Sequence, residues 1–342
     1  MWAKRLAFLC AIAWLLNVAP AGAAPSLPGA FIADLEALQQ RLERGELDAV
    51  SERALAQAMR LEGGNAADRW ARALYLQLAA GAEARRERPA TAADLLNAAR
   101  GIQAAPGDWR AARLHDEAAL RRAAGQTERA VELLGEWLAP HGDDSDEQWR
   151  LVRWLAELGR WDAAAERVGL ALRDADSAGA GRRELAGIVY QRAGRTGEAL
   201  ALLEANLEEG DSAASWRRAA ALAQRLGEPG RAAAIWEAGW RRGVLAGEED
   251  LLRLIRLHLA GGTPARAAER LAEALEGGEL PDTPAHRRLL AQAWEAARDR
   301  QRALAAWKRV AQESDAGEDR RRLEQLARAW GESRRIEASR RQ

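Results

Sequence analysis

The chain has 342 residues, enough for two compact domains or for one long array of repeats. Charged residues make up 30% of the chain and cancel to a formal net charge of zero, which gives no large field to attract nucleic acid or an anionic membrane. Ala, Leu, Glu and Arg are abundant, whereas Val, Ile, Thr, Phe and Tyr are scarce, and this mixture favours helices over sheets.

The first 23 residues have the pattern of an export signal. Lys4 and Arg5 form a positive n-region, residues 6–18 form an apolar run, and residues 21–23 read Ala-Gly-Ala, an A-x-A cleavage site. The run is shorter than the roughly 20 residues that a membrane span needs. We therefore predict a cleaved signal peptide and a periplasmic protein of the Gram-negative type. An inner-membrane anchor formed by an uncleaved segment is the alternative.

Cys10 is the one cysteine of the chain and lies inside the predicted signal, without a lipobox around it. The mature protein is therefore expected to have no disulfide, no thiol nucleophile and no cysteine-based metal site.

The region before residue 109 is predicted to be helical but irregular. Residues 24–30 contain two prolines and a glycine and should form a flexible lead-in. Apolar residues at helical spacing then predict three helices: residues 31–44, 47–61 and 66–80. A charged joint is expected over residues 81–89. Residues 91–94 read Thr-Ala-Ala-Asp and resemble a capping box, ahead of a helix that runs to about residue 103.

From Trp109 onwards one pattern occurs six times. An alanine recurs at intervals of 33 to 36 residues: Ala130, Ala164, Ala199, Ala232, Ala267 and Ala303. Five residues before each of the first five lies a glycine: Gly125, Gly159, Gly194, Gly227 and Gly262. In the sixth unit this place is taken by Arg298. Two helices joined at a glycine, with a period near 34 residues, form a helix-turn-helix repeat.

Further positions agree with one repeat family. In the unit that contains Ala232, Trp216 opens the first helix, Ala220 follows four residues later, and Ala223 lies three beyond. The chain therefore resembles the tetratricopeptide repeat family. The resemblance implies an all-α fold, a right-handed α-solenoid of helix-turn-helix repeats. The first helix of each pair, helix A, would line a concave groove, and the second, helix B, would lie outside.

These patterns divide the chain into five predicted parts. They are a signal peptide (1–23), a flexible lead-in (24–30), degenerate N-terminal helical repeats (31–108), six tetratricopeptide-like repeats (109–316), and a C-terminal capping helix with an Arg-rich tail (317–342).

A narrower resemblance covers residues 216–330. Its phrases include AGWRRGVL at 238–245, GTPARAA at 262–268, LEGGEL at 275–280 and LAQAWEAAR at 290–298. This segment is similar to the periplasmic tetratricopeptide proteins found with TonB systems, in which ExbB, ExbD and TonB deliver proton-motive energy to outer-membrane transporters. The resemblance implies a non-enzymatic scaffold that binds TonB, ExbB, ExbD or a transporter. A scaffold in envelope polysaccharide export or cell-wall assembly is the alternative.

The sequence holds no catalytic motif, and we predict neither an enzyme nor a bound cofactor or metal. There is no Gly-rich phosphate loop and no nucleophile elbow. The four histidines are dispersed among different repeats or turns, without metal spacing on one helix: His115, His141, His258 and His286. The acidic residues 142–147 lack the length of a calcium loop, and helix capping explains them.

The remaining candidate site is the groove that the resemblance implies, with a protein or peptide partner and no nucleic acid. Contact with a membrane is expected only through partners or an uncleaved signal. The candidate partner-binding residues are Arg122, Trp149, Arg153, Arg192, Arg217, Arg225, Arg256 and Arg288. Guanidinium groups can hold carboxylates through paired hydrogen bonds. Alternatively, these arginines form ion pairs with acidic residues at equivalent positions: Asp146, Glu157, Glu184, Glu249 and Glu295.

The tryptophans have two interpretations. Trp161, Trp236, Trp240, Trp294 and Trp307 fall at repeat packing positions and are predicted to lie in the core. Trp149 falls on the inner face of its helix A, where it would either contact a ligand or be buried against a neighbouring helix.

Overall fold

The computed structural model describes residues 24–142, 144–173, 179–207, 212–313 and 317–330. Every regular element within these ranges is an α-helix, and there are 17. Their bounds are α1 Gly29–Glu43, α2 Leu47–Arg60, α3 Ala66–Arg85, α4 Pro89–Arg100, α5 Gly107–Ala123, α6 Thr127–Leu138, α7 Ser145–Glu157, α8 Trp161–Ala171, α9 Ala180–Arg192, α10 Thr196–Asn206, α11 Ala213–Arg225, α12 Pro229–Arg241, α13 Gly247–Ala260, α14 Pro264–Glu276, α15 Pro284–Ala296, α16 Arg300–Glu313 and α17 Gly317–Ala329. The predicted signal peptide and the Arg-rich end of the tail lie outside the described residues.

The helices form eight consecutive pairs, α1–α2 to α15–α16, and α17 follows the last pair. The first helix of each pair is helix A and the second is helix B. In every pair the residue two positions after the end of helix A has positive φ. These residues are Gly45, Glu87, Gly125, Gly159, Gly194, Gly227, Gly262 and Arg298. The next residue donates its backbone N–H to a carbonyl five residues back, as Glu228 does to Ala223 at 3.0 Å. This Schellman ending satisfies a carbonyl of the last helical turn and reverses the chain.

The repeat register is confirmed by burial. The six alanines from Ala130 to Ala303 are all 0% exposed. The same five-residue offset from the positive-φ residue leads to Val50 and Ala92 in the first two pairs, and both are also 0% exposed. Two degenerate repeats therefore precede the six regular ones. A small side chain at this place lets helices A and B approach closely.

Two predictions before residue 109 are wrong. The joint expected over residues 81–89 is mostly helix, because α3 continues to Arg85. Gly81 lies inside it and faces α1, where an added Cβ would lie 3.4 Å from the Leu42 Cδ2 atom. The expected capping box at residues 91–94 also fails, because α4 starts earlier, at Pro89. Proline suits the first position of a helix, where its missing N–H has no partner to lose.

The described residues divide into two compact units, with the boundary between residues 182 and 183. A buried cluster of the first unit joins α1, α2 and α3 around Leu38, Val50 and Tyr75. Leu27 packs against this cluster, so the predicted lead-in is partly docked. Asp34 of α1 accepts a hydrogen bond of 2.8 Å from the Tyr75 hydroxyl, which ties α1 to α3. Burial and the Asp34 carboxylate both raise the pKa of Tyr75.

The second unit has buried clusters that follow the chain. One lies between α13 and α14, around Ile255 and Leu271, and another joins α15, α16 and α17 around Trp307. Leu323 and Leu326 of α17 are buried in the latter, whereas the other side of this helix is charged. The last described helix therefore has one buried face and one charged face, and its capping role stays a prediction. Among the described residues, no helix has the length and apolar character needed to cross a membrane.

Candidate partner-binding surface

Trp149 is the one aromatic residue of the predicted site, and it is 0% exposed. The Arg182 guanidinium carbon lies 5.9 Å from the centre of its ring. The indole N–H has no hydrogen-bond partner among the described residues. Of the two interpretations offered by the sequence, burial against neighbouring helices is the one observed, and Trp149 offers no surface to a partner.

Three of the seven predicted arginines are paired with carboxylates. Arg122 bonds Glu157, Arg217 bonds Asp250 through two nitrogens at 3.1 and 2.8 Å, and Arg288 bonds Asp319 in the same way at 3.0 and 2.6 Å. In each case the arginine lies on one helix A and the carboxylate on the next helix A along the chain. These arginines therefore connect successive repeats, as the alternative interpretation expected.

Asp250 shows how strongly such a residue is held in place. It is 4% exposed, and its carboxylate also accepts the backbone N–H of Ala246 at 3.1 Å. Its carbonyl accepts the Trp236 indole N–H at 3.0 Å. Hydrogen bonding to Asp250 raises the pKa of Arg217. Arg217 is thus held by a carboxylate of the next repeat, while 51% of its side-chain surface stays exposed.

The other four arginines are exposed. Arg153, Arg225 and Arg256 form no ion pair with any described residue. Arg192 is exposed too but takes part in a contact of its own. Of these, Arg225 and Arg256 lie on neighbouring A helices of the second unit, α11 and α13. The structure thus distinguishes arginines that hold a carboxylate of the next repeat from Arg153, Arg225 and Arg256, which hold none within the described ranges.

One arginine near this face was missed from the sequence. Arg253 of α13 is exposed and donates a hydrogen bond of 2.6 Å to the Gln224 side chain of α11. It lies outside the five positions per repeat that the family resemblance assigns to the groove. Its spacing of three residues from Arg256 was the signal that could have identified it, because residues three apart share a helix face.

Three of the predicted acidic residues bond arginines within the described ranges. Asp146 bonds Arg182, Glu157 bonds Arg122, and Glu295 bonds both Arg322 and the Trp307 indole N–H. Glu295 also lines a cleft of about 680 Å³ between α15 and α17. The Arg288–Asp319 and Arg322–Glu295 ion pairs line this cleft, together with Glu318.

The predicted core tryptophans are mostly confirmed. Trp236, Trp294 and Trp307 are buried, whereas Trp161 and Trp240 are only half-buried. The Arg302 guanidinium stacks on Trp294 at 4.5 Å and the Arg270 guanidinium on Trp240 at 5.5 Å. Arginines on helix B thus cover tryptophan faces that packing leaves open.

The acidic segment before α7 caps that helix, as predicted. The Asp144 carboxylate accepts the backbone N–H of Glu147 at 3.1 Å. No group of three or more His, Cys, Asp or Glu residues in the described ranges is arranged to hold a metal ion. His115 and His141 flank the Trp137 ring at 4.8 and 4.4 Å, and they pack as aromatic rings.

Comparison with known proteins gives similarity of fold only. No family model matches the chain, and no curated protein matches it in sequence. A tetratricopeptide repeat protein from Parabacteroides merdae is 16% identical over 87% of this chain and 99% of its own, with a TM-score of 0.39. The C-terminal part of a TPR repeat-containing protein from Cytophaga hutchinsonii is 13% identical over 83% and 97%, with a TM-score of 0.37.

A shorter solved structure, MamA from Desulfovibrio magneticus, is 14% identical over 49% of this chain and 93% of its own, with a TM-score of 0.33. These identities and TM-scores carry no information on what the chain binds. The repeat assignment depends instead on the helix pairs, their Schellman endings and the buried small residues described above.

Proposed function

We propose that this protein is a non-enzymatic, periplasmic protein-binding scaffold. The observation that supports the proposal is the state of Arg225 and Arg256. Both are exposed on adjacent A helices without a carboxylate partner in the described ranges, whereas Arg217 on the same helix as Arg225 is fully paired. Exposed guanidinium groups on a surface assembled from packed helices suit the recognition of a protein segment.

The more specific proposal is that the scaffold serves a TonB system. It is supported by the phrases shared with the periplasmic tetratricopeptide proteins of those systems and by the export pattern of residues 1–23. The partner is then TonB, ExbB, ExbD or an outer-membrane transporter. The protein has no catalytic step in this proposal, and its contribution is to hold a partner in place.

Site-specific crosslinking in the periplasm tests the binding surface. Ala221 on α11 and Ala234 on α12 are both exposed alanines, one on helix A and one on helix B of the same pair. A photoreactive residue at position 221 is expected to capture a TonB-system protein, identified by mass spectrometry, and the same residue at position 234 is expected not to. Capture of no such protein at 221, or equal capture at both positions, would count against the proposal.

Deletion of the gene tests the pathway. We expect slower growth when iron is scarce and uptake requires TonB, with unchanged entry of small solutes through porins. Complementation with the wild-type chain should restore growth. Normal growth of the deletion strain under iron limitation would contradict a role in TonB-dependent uptake.

A further inference from the structure

We propose that Arg225, Arg253 and Arg256, here called the cationic patch, bind an extended acidic protein segment with carboxylates at alternate residues. This inference depends on the proposed scaffold function and specifies the chemistry of its partner. It assigns the contact to α11 and α13 of the second unit, and it includes Arg253, which the repeat register does not predict.

The charges of the two helices are unequally distributed. Helix α11 carries Arg217, Arg218 and Arg225 and no acidic residue. The three acidic residues of α13 are all in its first turn, and Asp250, the last of them, is occupied by Arg217. The part of α13 that follows carries Arg253 and Arg256 and no carboxylate. The charged side chains of α13 after Asp250 are therefore all arginines, and α11 contributes only arginines.

A direct contact places the patch residues together. Arg253 donates to Gln224, the residue that immediately precedes Arg225. This contact brings the middle of α13 beside the end of α11. Arg253 and Arg256 are three residues apart on one helix, which separates their β carbons by about 5–6 Å. The three arginines are thus attached to neighbouring parts of two adjacent helices.

The spacing suits an extended chain. A strand rises about 3.3 Å per residue and points alternate side chains in the same direction, so carboxylates two residues apart are separated by about 7 Å. Side chains as long as arginine easily adjust to this distance. Bidentate guanidinium–carboxylate contacts are stronger and more directional than neutral hydrogen bonds. A segment with Asp or Glu at alternate positions can therefore engage two or three arginines at once.

Apolar neighbours favour a protein segment over an anionic polysaccharide. Leu252 and Leu259 are half-buried and lie four residues before and three residues after Arg256, on the same side of α13. They offer apolar contact beside the guanidinium group. A peptide can present apolar side chains between its carboxylates, whereas a uronic acid polymer has none to present.

Fluorescence anisotropy of a labelled peptide tests the inference with the full mature protein. The probe is a peptide of alternating Glu and Leu, and the comparison probe has Gln in place of each Glu. We expect the Glu peptide to bind, with affinity that falls as salt is raised from about 50 to about 300 mM, because salt screens exposed charges. The Gln peptide is expected to bind at least about tenfold more weakly.

A triple variant and a matched control locate the contact. Arg225→Gln, Arg253→Gln and Arg256→Gln together should weaken binding of the Glu peptide at least about tenfold. The control, Arg160→Gln, Arg173→Gln and Arg300→Gln, removes the same charge from exposed arginines outside α11 and α13 that form no ion pair with a described residue. It should leave affinity within about twofold. Circular dichroism and urea unfolding establish that both variants are folded.

Three results would overturn the inference. They are equal binding of the Glu and Gln peptides, equal loss of affinity in the two triple variants, and tighter binding of polygalacturonate than of the Glu peptide per carboxylate. The last result would assign the patch to a polysaccharide. If a partner is still crosslinked at position 221 in the patch variant, the scaffold function stands and only the acidic specificity fails. If no partner is captured even by the wild-type chain, the scaffold function itself fails.

Discussion

Arg298 has the positive φ that the other regular repeats reach with glycine, although it carries a side chain. Five of the six regular repeats have glycine just after helix A, with φ between 70° and 78°, and Arg298 has φ of 58° at the same place. A residue with a Cβ is strained in the left-handed region by roughly 1–2 kcal/mol. The sixth regular repeat therefore forms with an internal cost, which the surrounding packing offsets.

Arg298→Gly is expected to stabilise the protein by about 0.5–1 kcal/mol, because glycine removes the strain but adds entropy to the unfolded chain. The measurement is the midpoint of urea unfolding, followed for the second unit by tryptophan fluorescence. Ala297→Gly is the matched control. Ala297 has φ of −70°, where glycine offers no relief, so this change should lower the midpoint. Destabilisation by both changes would show that the Arg298 side chain contributes more than its backbone costs.

His258 is a buried histidine whose protonation is coupled to folding. It is 4% exposed, its Nδ1 lies 2.9 Å from the Thr263 hydroxyl, and its Nε2 lies 3.7 Å from a Glu237 oxygen. Burial lowers the pKa of His258 below its ordinary value, and Glu237 opposes this only in part. The native state therefore holds this imidazole in its neutral form to lower pH than the unfolded chain does.

The sign of the pH effect follows directly. Below pH about 6.5 the unfolded chain takes up a proton at His258 that the native state resists, so stability should fall as pH drops from about 7 to about 5. His258→Gln should reduce this difference in unfolding midpoint. Equal pH dependence in wild type and His258→Gln would exclude His258 as a source of the effect.

At the scale of single helices, α12 depends on a glycine in its interior. An added Cβ at Gly239 would lie 3.0 Å from the Trp216 ring and 3.0 Å from Leu245 Cδ1. Ordinarily alanine is better than glycine inside a helix by about 1 kcal/mol. Here we expect the close approach of α11 and of the loop after α12 to reverse that preference, since Trp216 and Leu245 are only 3% and 1% exposed.

We expect Gly239→Ala to destabilise the second unit by about 1–3 kcal/mol, the usual range for overpacking. Gly135→Ala in α6 is the comparison, because nothing lies within 4 Å of a Cβ built there. That change should stabilise its helix by about 0.5–1 kcal/mol. Urea unfolding of both variants measures the two effects. A gain in stability from Gly239→Ala would show that Trp216 relaxes at little cost.

The loops between pairs explain several phrases of the narrower sequence resemblance. Gly243 and Gly278 both have positive φ, and two residues after each lies a leucine, Leu245 or Leu280, that is 1% exposed. Both leucines donate their backbone N–H to a carbonyl six residues back, in Gly239 or Ala274. The phrases AGWRRGVL and LEGGEL therefore encode a loop that recurs in two successive repeats. They are evidence for a shared loop structure more than for a shared partner.

At the scale of the whole chain, the repeat could be predicted from the sequence because its determinants are local. A turn residue and a buried small residue lie five positions apart, and both are visible without knowledge of the fold. The N-terminal pairs were harder to predict because Glu87 replaces glycine and Val50 replaces alanine, although both keep the geometry.

The candidate surface could be predicted only in part, because charge pairing depends on residues of the next repeat. Arg217 and Arg225 lie on one helix, and the sequence of that helix does not show which of them is paired. The carboxylate that neutralises Arg217, Asp250, is 33 residues away, and none reaches Arg225 in the described ranges. Trp149 illustrates the same limit, because its burial depends on the neighbouring helices that cover it.

The short sequence range of the native contacts also affects how fast the chain is expected to fold. The turns close between residues only a few positions apart, and the longest ion pairs between A helices span about one repeat. Native contacts of such short range correspond to a low contact order, for which the entropy lost in loop closure is small. Each unit is therefore expected to fold quickly, and segments at its ends to open before its middle when the chain is stressed.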